Sequence, residues 1–152
     1  MALVYFDASA LVKLCVPELG TLLASRLWNR ADVVVTSRLS DTELRAALAA
    51  GVRADVLDAA EHAEALATWE SLWPALHVVE VTSQVAAQAS ALLGSSDGVA
   101  GGAAAGATAA LRSNDAVHVA SALAVAHDDT LVAAWDPVVA AGARGRGLRV
   151  VP

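Results

Sequence analysis

Cysteine is nearly absent from this chain: Cys15 is the only one in 152 residues. That excludes an intrachain disulfide framework and a cysteine-built metal site, and it fits a reducing, cytoplasmic setting. Long apolar runs are missing too. The longest uncharged stretches, 81–96 and 98–111, are interrupted by Gln, Ser or Gly, and they fall short of the roughly 18 strongly apolar residues a membrane span needs. No basic segment precedes an apolar core at the N-terminus, and Asp7 comes too early for a signal peptide. His62, His77, His118 and His127 stand without an HExxH or CxxC pattern, which argues against zinc. There is no GxxxxGK[ST] phosphate loop and no GxSxG. The "GARGRG" turn at 142–147 reads as solvated cationic surface. Positive charge is scarce, with 10 Lys and Arg against 16 Asp and Glu for a net charge of −6. That balance argues against a protein that passively coats nucleic acid. It leaves room for an enzyme whose acids hold cations against a phosphate backbone.

What the chain does have is apolar content of 57%, enough for one substantial core, and 1–152 reads as a single domain. Short apolar runs at 2–6 (ALVYF), 33–36 (VVVT), 77–81 (HVVEV), 130–135 (TLVAAW) and 148–151 (LRVV) read as strands. Helices are expected between them, over 8–14, 18–30 with Pro17 at its start, 39–50 with Gly51 as its stop, 54–73 ended by Pro74, 83–93, 115–127 and 137–143. Residues 94–110, GSSDGVAGGAAAGATAA, read as a flexible loop or a frayed helical extension. The alternation of strand and helix predicts an α/β fold, a mainly parallel central sheet covered by helices on both faces.

In such folds, sites form at the carboxyl ends of the strands. Asp7 ends the first strand, Asp136 ends the strand at 130–135, Glu43 lies in the first turns of the helix after the second strand, and Asp115 opens a helix after "ALRSN". With parallel strands all four converge on one rim. Each also fits a humbler role. Asp is a favoured helix cap, Asp136-Pro137 is a cap followed by proline at the first helical position, Asn114-Asp115 can cap, and Ser40-x-x-Glu43 has capping-box spacing. The joint pattern favours a site. Clustered carboxylates repel one another unless neutralised, and magnesium or manganese, hard cations that take oxygen ligands, are the usual remedy.

With these residues in hand, the chain resembles the PIN-domain ribonucleases, and within them the VapC-type toxins of bacterial toxin–antitoxin pairs. The blocks that carry the likeness are "VYFDASALVKL", "VVVTSRLSDTELRAAL", "LRSNDAVHVASAL" and "LVAAWDPVVAAGARGRGLRVV". They place Asp7, Glu43, Asp115 and Asp136 in order. The resemblance implies a PIN-like three-layer α/β/α fold and a magnesium- or manganese-dependent endoribonuclease. Asp7 and Asp115 would be the principal metal ligands, Glu43 and Asp136 completing the site directly or through water. Ser9 would hydrogen-bond a ligand carboxylate or cap the first helix. Lys13, Arg38, Arg45 and Arg112 are candidate phosphate contacts or ordinary surface ion pairs. His118, one turn beyond Asp115, would pack or support a ligand from behind. The partners implied are RNA, a cognate antitoxin protein and a second copy of the chain. Trp28, Trp69 and Trp73 would line an antitoxin groove or belong to the core. Two other readings stand beside the toxin: a housekeeping PIN nuclease in RNA processing, and a catalytically silent binding module of the same fold.

Overall fold

The computed structural model describes residues 1–94 and 110–152; the loop expected over 94–110 lies almost wholly outside them. The chain begins with β1 (Leu3–Phe6), and every residue of that strand is buried. Its four side chains alternate between two faces, and that alternation sets the architecture. Leu3 and Tyr5 join one core cluster, Val4 and Phe6 the other. Next come α1 (Ala8–Cys15), α2 (Thr21–Arg30), β2 (Val33–Ser37), α3 (Leu39–Arg53) and α4 (Ala59–Leu72). Beyond a single 3₁₀ turn lie β3 (His77–Val79), α5 (Ser83–Gly94), α6 (Ser113–Val125), β4 (Leu131–Ala133), α7 (Pro137–Arg144) and β5 (Arg149–Val151).

The five strands form one sheet in the order β3-β2-β1-β4-β5, and every pairing is parallel. The fold is therefore α/β, a three-layer α/β/α sandwich. The β-branched residues of β2 and the apolar β4 suit a sheet covered on both sides. On one side, Val85, Ala89, Ala116, Val119 and Val139 from α5, α6 and α7 pack over Tyr5 and Val132. On the other, Leu11, Leu44, Leu48 and Trp69 from α1, α3 and α4 pack over Val4 and Phe6. Among the described residues no helix is long and apolar enough to cross a membrane.

Several boundaries differ from expectation. The helix expected over 18–30 starts at Thr21, because Gly20 takes a left-handed φ of 98° that turns the chain into α2. The extra turn at 17–20 is held by the Lys13 ammonium, which donates to Glu18 (2.9 Å) and to the Leu19 carbonyl (2.9 Å). Gly51 is no stop. Helix α3 runs through it to Arg53, and Leu57 folds over it so closely that a Cβ there would lie 2.9 Å from Leu57 Cδ1. Asp55, at φ 54°, is where the chain departs from helical geometry. Helix α4 consequently begins at Ala59, capped by Asp58 through a reciprocal pair with Glu61. Of the three tryptophans, Trp69 is fully buried, while Trp28 and Trp73 are half-buried against the same core: the Trp69 and Trp73 rings meet at a tilt, and Trp28 sets its edge against Phe6.

Candidate active site

The carboxyl ends of β1, β2 and β4 open on a cleft of about 290 Å³, and Asp7, Glu43, Asp115 and Asp136 all line it. The four acids of the sequence reading are thus brought together at one rim. Parallel pairing of β1 with both β2 and β4 is what does this: Asp7 leaves the central strand, Asp136 leaves its neighbour, and α3 and α6 bring in the other two.

Asp7 is both a cap and a cleft residue. Its Oδ1 accepts from the Ala10 backbone N–H (2.9 Å) and from the Ser9 hydroxyl (2.6 Å). It is only 2% exposed, and burial outweighs those two bonds, raising its pKa from 3.8 to about 6. The carboxyl is held short of full compensation by protein donors alone. Ser9 does a second job: its oxygen accepts from the backbone N–H groups of Trp135 (2.8 Å) and Asp136 (3.0 Å). One hydroxyl therefore pins the start of α1 to the loop that carries the fourth acid.

Asp136 caps α7 through Oδ1, which accepts from Val138 N (2.8 Å) and Val139 N (3.2 Å). Asp115 sits in the first turn of α6 and reaches back to the Arg112 backbone N–H (2.8 Å). The guanidinium of Arg112 bonds both oxygens of Asp115, Nε to Oδ2 at 2.9 Å and Nη2 to Oδ1 at 3.1 Å. The same Nη2 extends to Asp136 Oδ2 at 3.3 Å. The neighbouring carboxylates, Asp115 foremost, raise the pKa of Arg112.

Glu43 forms no capping box with Ser40. Ser40 is buried, its hydroxyl paired with Thr36 (2.6 Å), and Glu43 instead points across to α6. Asn114 Nδ2 donates to its Oε1 (3.1 Å), and His118 Nε2 bonds its Oε2. Behind the imidazole, the Tyr5 hydroxyl bonds His118 Nδ1 at 2.8 Å. Burial, then the Asp7 charge, pushes the Tyr5 phenol well above its ordinary pKa, so the hydroxyl keeps its proton. The imidazole is thus held from both sides, by Tyr5 behind it and Glu43 ahead. Two members of this arrangement carried little signal in the sequence. Asn114 read as a cap, and nothing near Tyr5 distinguishes it from any other strand aromatic.

The candidate phosphate contacts are all engaged already. Lys13 is buried against Glu18 and lies over Trp135. Arg38 pairs with Glu80, Arg45 with Asp41 and Glu70, and Arg112 with the site acids. Among the described residues no three His, Cys, Asp or Glu side chains are gathered closely enough to grip one ion in this arrangement.

The PIN-domain family model matches residues 4–139, and the chain belongs to that family. Two proteins of Mycobacterium tuberculosis, Ribonuclease VapC45 of strain CDC 1551 / Oshkosh and Ribonuclease VapC49 of strain ATCC 25618 / H37Rv, are each 45% identical over 152 residues, 100% of this chain and 96% of theirs. Among solved structures, the M. tuberculosis toxin VapC20, described as cleaving the sarcin–ricin loop, is similar in fold. The TM-score is 0.55 at 22% identity, covering 77% of this chain and 78% of that one.

Proposed function

We propose that this protein is a metal-dependent endoribonuclease, the toxin of a toxin–antitoxin pair, that hydrolyses RNA phosphodiester bonds at the cleft of Asp7, Glu43, Asp115 and Asp136. The observation that carries the reading is the convergence of those four carboxylates, drawn from four separate sequence blocks, on one cleft in a PIN-domain chain. Full-length likeness to two VapC ribonucleases supports the toxin over a housekeeping nuclease. The retained acids speak against a silent module.

The donor set fits magnesium or manganese: all four groups are hard carboxylate oxygens, and Asp7 is a buried acid left under-compensated, with a pKa of about 6. When bound, such a cation supplies the Lewis-acid chemistry of phosphodiester hydrolysis, stabilising charge on the phosphoryl and leaving oxygens and promoting attack by water. The chain's own residues do the positioning. Asp7 and Asp115 would be the cation's principal ligands. Ser9 fixes the rotamer of Asp7 and the approach of the Asp136 loop, and His118 and Asn114 fix both oxygens of Glu43. Arg112, the one Lys or Arg among the described residues that line the cleft, is engaged by the site acids, so RNA would be held there chiefly through the site itself. A cognate antitoxin, a homodimeric state and a cytoplasmic location complete the proposal.

The test is cleavage of single-stranded and stem-loop RNA by the purified protein with magnesium or manganese, repeated in excess EDTA and with Asp7→Asn and Asp115→Asn. Cleavage that stops in chelator and in both variants is the expected result. Undiminished cleavage in chelator overturns the metal dependence. Near-normal activity of both variants reduces these acids to caps, because Asn caps as well as Asp.

A further inference from the structure

Among the described residues that line the cleft, Arg112 is the only Lys or Arg. Although its side chain is exposed, its guanidinium is turned onto the site acids. It takes both oxygens of Asp115 and the one oxygen of Asp136 that the α7 backbone leaves over. The guanidinium thus bridges two of the four site acids, and a cation of the chain's own is already there. The burial of the partners is lopsided. The Asp115 side chain is 5% exposed and the Arg112 side chain 71% exposed. The acid is fixed in the wall, while the arginine lies across it from outside on a long flexible stem. Only one partner of the pair is free to leave.

We propose that Arg112 is the resident counter-ion of the acid site, which a divalent cation must displace: guanidinium and metal compete for Asp115 and Asp136. This inference rests on the reading of the cleft as a metal site. It also accounts for the absence, among the described residues, of a ready-made three-ligand grip. With the acid pair drawn onto the guanidinium, the site is arranged for its internal cation. A loose arginine in that place keeps the metal-free protein from carrying bare, repelling carboxylates. It also sets the metal concentration at which the site fills.

The competition is read without RNA or activity, by titrating manganese into chelator-stripped protein calorimetrically, and by melting each variant with and without manganese. Arg112→Gln removes the charge and is expected to bind manganese about two- to fivefold more tightly than the wild type, the range appropriate to a solvent-exposed ion pair. Arg112→Lys keeps the charge but loses the planar fork that spans two carboxylates, and is expected to fall between. The metal-free Arg112→Gln protein should melt lower than the wild type, and manganese should raise its melting temperature by more. A merely structural arginine gives the lower melting temperature without tighter binding. Unchanged or weaker manganese affinity in both variants therefore overturns the proposal. If Arg112→Gln does not fold, Arg112→Lys decides alone by the same criterion. Asp115→Asn runs beside them. If it loses manganese binding while the Arg112 variants match the wild type, the metal site stands and only the competition falls. If wild type and Asp115→Asn bind manganese equally, the reading of the cleft itself fails.

Discussion

Asp7 shows how one residue can satisfy two opposed readings. Its capping bond to Ala10 is real, and so is its place in the cleft; the two roles coexist. Its ionisation has a thermodynamic consequence. In the folded protein its pKa is raised from 3.8 to about 6, chiefly by burial. Below about pH 4 the group is neutral in both states and costs nothing. As pH rises through 6 the unfolded chain has already released the proton while the fold must ionise a buried acid. At 1.36 kcal/mol per pH unit the full cost above pH 6 is roughly 3 kcal/mol. Chelator-treated wild type should therefore lose stability between pH 4 and 6, and Asp7→Asn, which keeps an acceptor for Ser9 and Ala10, should flatten that decline and melt higher at pH 7. Equal melting temperatures for the two at pH 7 would show that the carboxylate is compensated after all. A second prediction follows from His118, whose position was legible but whose bonds were not. The sequence placed it one turn beyond Asp115, yet only the fold puts Tyr5 behind it and Glu43 ahead. His118→Ala should lower cleavage by about 10-fold or more, as loss of a buried support behind a site carboxylate commonly does, and His118→Asn should recover part of it.

At the scale of elements, strands were legible because short β-branched runs bounded by polar residues have few alternatives, as at VVVTS of β2. Helix ends were not, because tertiary contacts decided them. Gly51 looked like a terminator from composition, but it is glycine because Leu57 needs its space. Ser40 and Glu43 had the spacing of a capping box, but Thr36 and His118 offered each a better partner. Trp69 was undecided between core and groove for a similar reason: helical periodicity does not say which side carries the sheet. It is fully buried, and its indole N–H donates to Asp41 at 2.8 Å. That bond and Arg45 hold Asp41 below its ordinary pKa against the opposing effect of burial. Trp69→Ala should destabilise the protein by about 3–5 kcal/mol in denaturant unfolding, a loss too large for a groove-lining side chain. Gly142 marks another close approach. A Cβ there would meet Leu111 Cδ2 at 2.9 Å and Val119 Cγ2 at 3.2 Å, so a bulky residue would push α7 from α6, the two helices that carry Asp136 and Asp115. Gly142→Leu should lower cleavage through the site geometry, with circular dichroism still native.

Across the whole molecule, the fold and the four-acid rim were legible together because both follow from one pattern, apolar strands with acids at their ends. The electrostatic environment was not legible, because pairing is a matter of three dimensions. Lys13, Arg38, Arg45 and Arg112 looked available to phosphate and are all paired with acids. Arg149 leans on Asp129, and the stretch 94–110 contributes no Lys or Arg, only Asp97. A protein with a net charge of −6 whose one cleft-lining cation among the described residues is already engaged releases few counterions when RNA binds. Each phosphate neutralised on a single strand contributes about 0.7 to the slope of log affinity against log salt. One or two contacts made through the site therefore predict a slope of magnitude about 0.7–1.4. The measurement is RNA affinity of the Asp7→Asn protein, which should not cleave, in manganese between low and moderate salt. A shallow slope is the expected outcome. A slope several times steeper would mean that the arginines leave their carboxylates to form a basic track, and that the RNA is held by a surface remodelled on binding.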